Sequence, residues 1–271
     1  MPALSFGSFS LHCETPEAAR YRASILVLPG LFQSFTCWRP MTSMLAHRGW
    51  EVYCLTRTMP DRSGNPCLLD QTWEGARKRI AEVGARLGSP VIVLASDVGA
   101  ALAISLAGEL PMLAMALFSP SEPAVLGAAY RRLQRAGTWR PGLFGRLFGG
   151  ASSDQSEQVV VPSVLLSEDM TAQDTLPEPR HLLDELEGVQ LERPARHPPA
   201  LVFAARNDPL VTEEHALGFC TSACAKASRT PLNGRFFPLA AGDRLADEVQ
   251  RFLILTLGDR VVEFPEEILE E

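Results

Sequence analysis

The chain has 271 residues, of which 46% are hydrophobic, 21% charged and 7% aromatic. That length and apolar content suffice for one sizeable core, or at most two small ones, and exclude a wholly disordered chain. Lys and Arg number 25 against 32 Asp and Glu, a formal charge of −7, the wrong sign for a nucleic-acid binder, and no run approaches the roughly 20 apolar residues of a transmembrane segment.

In chain order, Leu4 to Cys13 alternates around Gly7 in the manner of an antiparallel hairpin, expected at one sheet edge. Ser24-Ile25-Leu26-Val27-Leu28 reads as a buried strand ended by Pro29-Gly30. A helical stretch, Trp38 to His47, leads to a strand over Glu51-Val52-Tyr53-Cys54-Leu55. From Asp70, taken as an N-cap, Trp73, Ala76, Ile80, Val83 and Leu87 step by three and four along one helix face. Val91-Ile92-Val93-Leu94 is a further buried strand, followed by an Ala/Leu-rich helix from Val98 to Leu110. Leu113 to Phe118, Ala200 to Ala205 and Arg235 to Leu239 supply three more strands. The last leads into a helix through Leu245, Val249 and Phe252 that looks shortened. Strands separated by helices imply parallel pairing through crossovers. The expected class is therefore α/β: a mostly parallel twisted sheet with helices on both faces, an N-terminal antiparallel hairpin and an inserted cap.

Residues 121–196 break this rhythm. Five arginines (Arg131, Arg132, Arg135, Arg140, Arg146) face only Glu122 up to Gly150, whereas ten acidic residues face Arg180 alone from Ala151 to Glu192. A loop-rich insertion of segregated charge sits naturally as a cap over the sheet's carboxyl edge, where open α/β folds bind ligands. Its segment Trp139 to Gly150 reads either as a cap loop tucked over the core or as a mobile lid that meets acyl chains or a partner. The core is then 1–120 with 197–257. Residues 258–271 form a tail with six acidic residues and one arginine, either solvated or a docking peptide. No internal repeat is visible.

Cys13, Cys37, Cys54, Cys67, Cys220 and Cys224 are spread thinly and read as packing residues rather than a disulfide or zinc framework. The start, Met1 to Gly7, has neither a charged leader nor an apolar run, so a cytoplasmic protein without a secretory signal is expected. No cofactor, metal or nucleic acid is expected; a protein bound through cap or tail, or a small apolar ligand, is.

The segment after Val91–Leu94 reads Ala95-Ser96-Asp97-Val98-Gly99-Ala100. A reactive residue on a strained strand-to-helix turn needs small neighbours two before and two after, so that helix and strand can approach. Ala95 and Gly99 meet that with Asp97 at the centre; centring on Ser96 would put Leu94 and Val98 there instead. With the order of elements around it, this turn resembles the nucleophile elbow of the α/β-hydrolase family. The resemblance runs through Ile25 to Ser119 and Ala200 to Leu253. By it, Leu28-Pro29-Gly30-Leu31-Phe32-Gln33 matches the oxyanion loop, with Pro29 in the usual His place. The resemblance implies oxyanion donors at the backbone N–H groups of Leu31 or Phe32 and of Val98. Asp208, in Arg206-Asn207-Asp208-Pro209, matches the acid member. Asp243, in Ala240-Ala241-Gly242-Asp243, stands where the family has its histidine. His12, His47, His181 and His197 lie elsewhere, and His215 is weighed as a displaced base against an ordinary surface histidine.

An aspartate at the elbow resembles haloalkane dehalogenases and epoxide hydrolases, which form an ester on a carboxylate and then hydrolyse it. Their companions are missing. Val98 stands in place of the halide-binding Trp, Leu31 in place of a side-chain donor and Phe32 in place of the loop proline, and Tyr130 is the only tyrosine of the cap. Asp97, Asp208 and Asp243 would converge in one cleft as a hydrogen-bonded retired site, a divalent-cation site, or an acid/base group sharing a proton. Two functions follow: a binding or scaffold protein with a degenerate triad, or a hydrolase-type enzyme using Asp97 as nucleophile or base on a small apolar substrate under the cap.

Overall fold

A computed structural model of the chain describes residues 3–6, 9–30, 33, 35–55, 71–88, 90–135, 181–191, 197–206, 208, 210–222, 226–233 and 241–262. Its strands are β1 (Ala3–Phe6), β2 (Phe9–Glu14), β3 (Ser24–Leu28), β4 (Glu51–Leu55), β5 (Val91–Ser96), β6 (Met112–Phe118), β7 (Ala200–Arg206) and β8 (Lys226–Asn233). Among them run the helices α1 (Phe35–His47), α2 (Trp73–Arg86), α3 (Asp97–Ser105), α4 (Pro123–Arg135), α5 (His181–Glu185), α6 (Glu213–Ser222) and α7 (Gly242–Leu257).

The strands form one sheet in the order β1-β2-β4-β3-β5-β6-β7-β8. β1 and β2 form the expected edge hairpin, antiparallel to each other and, through β2, to β4; the other neighbours are parallel. A parallel strand covered on both faces needs apolar residues at every position, and so it reads as a run rather than an alternation. Ser24–Leu28 and Val91–Ser96 are accordingly buried throughout. The β5 register sets Ala95 beside Leu28 and Ser96 beside Phe118, so the turns after β3, β5 and β6 open side by side on the carboxyl edge.

Several elements differ from expectation. α1 begins at Phe35 and keeps Pro40 inside it. α2 is capped by Thr72, whose side chain accepts the Gly75 N–H at 3.0 Å, and not by Asp70. α3 ends at Ser105, not Leu110, because residues 106–109 turn back toward β6. β8 spans Lys226–Asn233, a polar stretch around Pro231 that edge strands tolerate because only one side must pair. The expected Arg235–Leu239 strand lies outside the described residues. α7 is not shortened: its 16 residues bury Leu245, Val249, Phe252 and Leu253.

The start of the acidic tail is anchored rather than solvated. Val261 is fully buried, its carbonyl accepts the Arg22 N–H at 2.8 Å, and Val262 pairs with Tyr21. Tyr21 stacks on Trp50 at 3.7 Å. Cys13, Cys37 and Cys54 are packed in the core without a disulfide; Cys67 and Cys224 are outside the described residues, as are Trp139 to Gly150. Within the insertion, α4 and α5 are helical. No helix of the described residues is long and apolar enough to cross a membrane.

Candidate functional site

The site is built where β3 and β5 end. Ser96 is extended (φ −120°, ψ 143°) and Asp97, the first residue of α3, lies at φ +35°. A non-glycine residue in this left-handed region is strained by roughly 1–3 kcal/mol and persists only where its surroundings enforce it. Two glycines show what enforces it. A methyl group on Gly99 would fall 2.5 Å from the Leu28 carbonyl oxygen and 3.0 Å from that of Pro29, so α3 rests directly on the end of β3. A methyl group on Gly30 would fall 2.6 Å from Asp97 Cγ and 2.9 Å from Oδ1, and still nearer Oδ2. The Asp97 side chain therefore lies across Gly30.

Asp97 is fully buried, and its Oδ1 accepts the Val98 N–H in a short contact. Val98 N–H is the donor that the resemblance reserves for an oxyanion, so the elbow's own carboxylate occupies that place. The amide of Gly30 is also engaged. Gln33 Oε1 accepts it at 2.9 Å and accepts Trp38 Nε1–H at 3.1 Å, while the Gln33 N–H returns to the Gly30 carbonyl at 3.1 Å. Gln33 is 3% exposed, a buried amide that closes the 30–33 turn on itself. Trp38 meets Phe118 edge-on at 5.1 Å, and Phe118 stacks on Phe203 at 4.7 Å, an aromatic floor beneath the edge. The expected donors Leu31 and Phe32 lie outside the described residues.

Asp208 is also buried, and its Oδ1 accepts the N–H groups of Leu210 at 2.8 Å and Val211 at 3.2 Å. A carboxylate that binds the amides two and three residues on makes a local turn, here the one that leads into α6. Asp243 is exposed in the first turn of α7. That helix starts against α1: a methyl group on Gly242 would fall 2.6 Å from Pro40 Cβ. Among the described residues no three His, Cys, Asp or Glu side chains gather to hold a metal ion, so the cation reading of Asp97, Asp208 and Asp243 is not sustained.

The topology places the histidines away from Asp97. His12 is three strands from β5, about 14 Å by strand spacing, and stacks on Phe35 at 4.2 Å. His47 ends α1 just before the amino end of β4, and His197 precedes the amino end of β7. His181 is exposed on α5. His215 is exposed in α6, two strands from β5, with Nδ1 2.8 Å from Thr212 Oγ1.

Residue reading alone missed Gln33, whose role appears only when its side chain meets Trp38. It also missed Ser119 and Ser121, the small polar pair that follows β6 at the carboxyl edge. Ser119 has φ +46°, and both hydroxyls are buried without a hydrogen-bond partner.

Residues 25–248 match the family model described as the alpha/beta hydrolase family. No curated protein matches the chain in sequence. Among solved structures, an alpha/beta hydrolase fold protein from Chitinophaga pinensis is similar with a TM-score of 0.68 at 13% identity, over 93% of this chain and 97% of that one. A thermophilic esterase from Thermogutta terrifontis gives 0.65 at 16% identity, over 92% and 94%. The enol-lactonase from Burkholderia xenovorans gives 0.63 at 14% identity, over 93% and 99%.

Proposed function

The chain belongs to the alpha/beta hydrolase family, and from that membership we propose that it is a cytoplasmic binding or scaffold protein built on a hydrolase core whose catalytic centre has been retired. One observation carries this reading: the Asp97 carboxylate is folded over Gly30 onto the Val98 N–H, filling the place in which an active relative would stabilise an oxyanion. A carboxylate satisfied there is neither aimed at a substrate carbon nor held by an imidazole that would activate water. Asp208 is retained because it shapes the turn before α6. Asp243, in the histidine's place, is an exposed residue that supplies acid to the first turn of α7, where a helix dipole favours it. Segment 121–196, as cap, and the acidic tail 258–271 are then the surfaces through which a protein or a small apolar ligand is bound.

A second reading has its own observation. The left-handed backbone at Asp97 is the strain that elbows use to present a nucleophile, and it persists here. In that reading Asp97 swings off Val98 when a small apolar substrate enters, and acts as nucleophile or base.

A panel of p-nitrophenyl esters, epoxides and haloalkanes, run on the wild type and on Asp97→Asn, separates the two. Equal and negligible rates, with no mass adduct after incubation with an alkyl halide, are the expected result. Turnover abolished by Asp97→Asn, or a stable alkyl adduct on Asp97, would overturn the retired-centre reading and establish the second one.

A further inference from the structure

On the far side of α7 from the sheet, a shallow groove of about 510 Å³ runs along the helix, lined by Arg48, Asp247, Gln250, Arg251, Ile254 and Leu255. Asp247, Gln250, Arg251 and Ile254 step by three and four, and Leu255 follows Arg251 by four, so they form one stripe. The core face of α7 is already filled by Leu245, Val249, Phe252 and Leu253. Ile254 and Leu255 lie off that face, 41% and 77% exposed. At the groove's other end Arg48 pairs with Asp247 and donates to Gln250 Oε1 at 3.2 Å. Arg251 is exposed and has no ion-pair partner among the described residues. The groove therefore offers two aliphatic side chains and a cation with nothing upon it.

The path of the chain leads to this groove. Val262 pairs antiparallel with Tyr21, and the Val261 carbonyl accepts the Arg22 N–H. Gln250, in the groove, donates to the Tyr21 hydroxyl at 3.3 Å. An antiparallel partner of Tyr21 runs on beside Arg20, whose N–H donates to the Gly49 carbonyl at 3.1 Å, one residue from Arg48. The chain thus leaves Val262 toward the Arg48 wall. The nine residues that follow, 263–271, lie outside the described residues; they hold five Glu, no Lys or Arg, and the apolar Phe264, Ile268 and Leu269. Extended, they reach about 30 Å, whereas the groove from Asp247 to Leu255 is about 12 Å long. Arg20 and Arg22 are exposed beside the exit, so with Arg48 and Arg251 four arginines stand against Asp247 where the acidic segment begins.

We propose that residues 263–271 fold back onto their own α7 and seat in this groove, with apolar side chains of the segment on Ile254 and Leu255 and its carboxylates toward Arg251 and the arginines at the exit. Tethering supplies a local concentration of order millimolar, so even a weak contact is filled. Any outside partner of the tail must compete with this groove. The docking does not depend on the state of Asp97, and its failure would leave the retired-centre reading untouched.

The test compares the full chain with a chain stopped after Val262, through the methyl shifts of Ile254 and Leu255 and light scattering. Removing 263–271 is expected to move both methyl groups while the mass stays that of a monomer. A synthetic 263–271 peptide, added at about millimolar concentration, should restore the shifts; the same peptide carrying Ile268→Ser and Leu269→Ser should not. In the full chain, Leu255→Glu and Arg251→Glu, both at exposed positions, should keep the urea midpoint and speed cleavage of the segment by a Glu-specific protease about fivefold. The proposal is overturned if the methyl shifts are the same with and without the segment, if the altered peptide restores them equally, or if both variants are cleaved as the wild type is. A dimer in the full chain that Leu255→Glu dissociates would overturn it too, giving the groove to a second copy.

Discussion

Replacing Gly30 with alanine puts a methyl group where the Asp97 carboxyl now lies. Carbon atoms in good contact sit about 3.5–4.0 Å apart, whereas this methyl would stand 2.6 Å from Asp97 Cγ, an overlap of about 1 Å. The obstacle is a short side chain on a backbone already held at φ +35°, so it yields only by rotating off the Val98 N–H. That forfeits a charge-assisted hydrogen bond, about 1.5–3 kcal/mol, and adds overpacking strain of about 1–3 kcal/mol. Together Gly30→Ala should cost roughly 3–5 kcal/mol, a third or more of the stability of a typical domain. Gly30 itself does not have positive φ, so alanine suits its backbone. In an Asp97→Gly background the methyl therefore has room, and Gly30→Ala should cost less than about 1 kcal/mol or even stabilise slightly by restricting the unfolded chain. Urea unfolding of the four proteins at pH 7, with comparable m-values, gives the coupling energy directly. An equal penalty in both backgrounds would refute the placement of the carboxylate over Gly30, and with it the retired-centre argument.

Asp208→Ala removes the acceptor shared by the Leu210 and Val211 amides and should lower unfolding stability by about 2–4 kcal/mol. Asp208→Asn keeps an oxygen there and should lose no more than half as much; equal losses would mean that its charge, not the turn, matters. Tyr53 titrates well above the ordinary phenol range, chiefly because it is buried, and further because Glu51 accepts its hydroxyl and repels the phenolate. Its folded value exceeds the unfolded one, so its contribution is intact below about pH 10 and fades as pH rises past it. The wild type should therefore lose urea resistance more steeply than Tyr53→Phe above about pH 10. The thiols of Cys13 and Cys54 are also raised, mainly by burial, but Cys13 is lowered in part by its hydrogen bond with Tyr53; the comparison is therefore made in a Cys13→Ala background, where parallel curves would show that Tyr53 ionises freely.

Much of the scaffold was legible in the residues. Ile25 to Leu28 and Val91 to Leu94 read as strands because a parallel strand buried on both faces must be apolar at every position. Ala95 and Gly99 marked the elbow because only small side chains let α3 meet β3. β8 was illegible for the opposite reason: Lys226 to Asn233 is an edge strand, polar and holding Pro231, with no pattern to separate it from a loop. The anchoring of Val261 against Arg22 was hidden because its partner is more than 200 residues away.

The chain's own letters determined the order of strands and turns and put an aspartate at the bend, since spacing and side-chain size act locally. Which way that aspartate's carboxyl turns was decided only in three dimensions. Gly30 gives it space, Val98 gives it a donor and Gln33 closes the loop beneath, and none of these contacts has a signature in sequence. The orphaned hydroxyl of Ser121 is likewise a product of packing, because burial and unmet hydrogen bonds exist only once distant segments have come together.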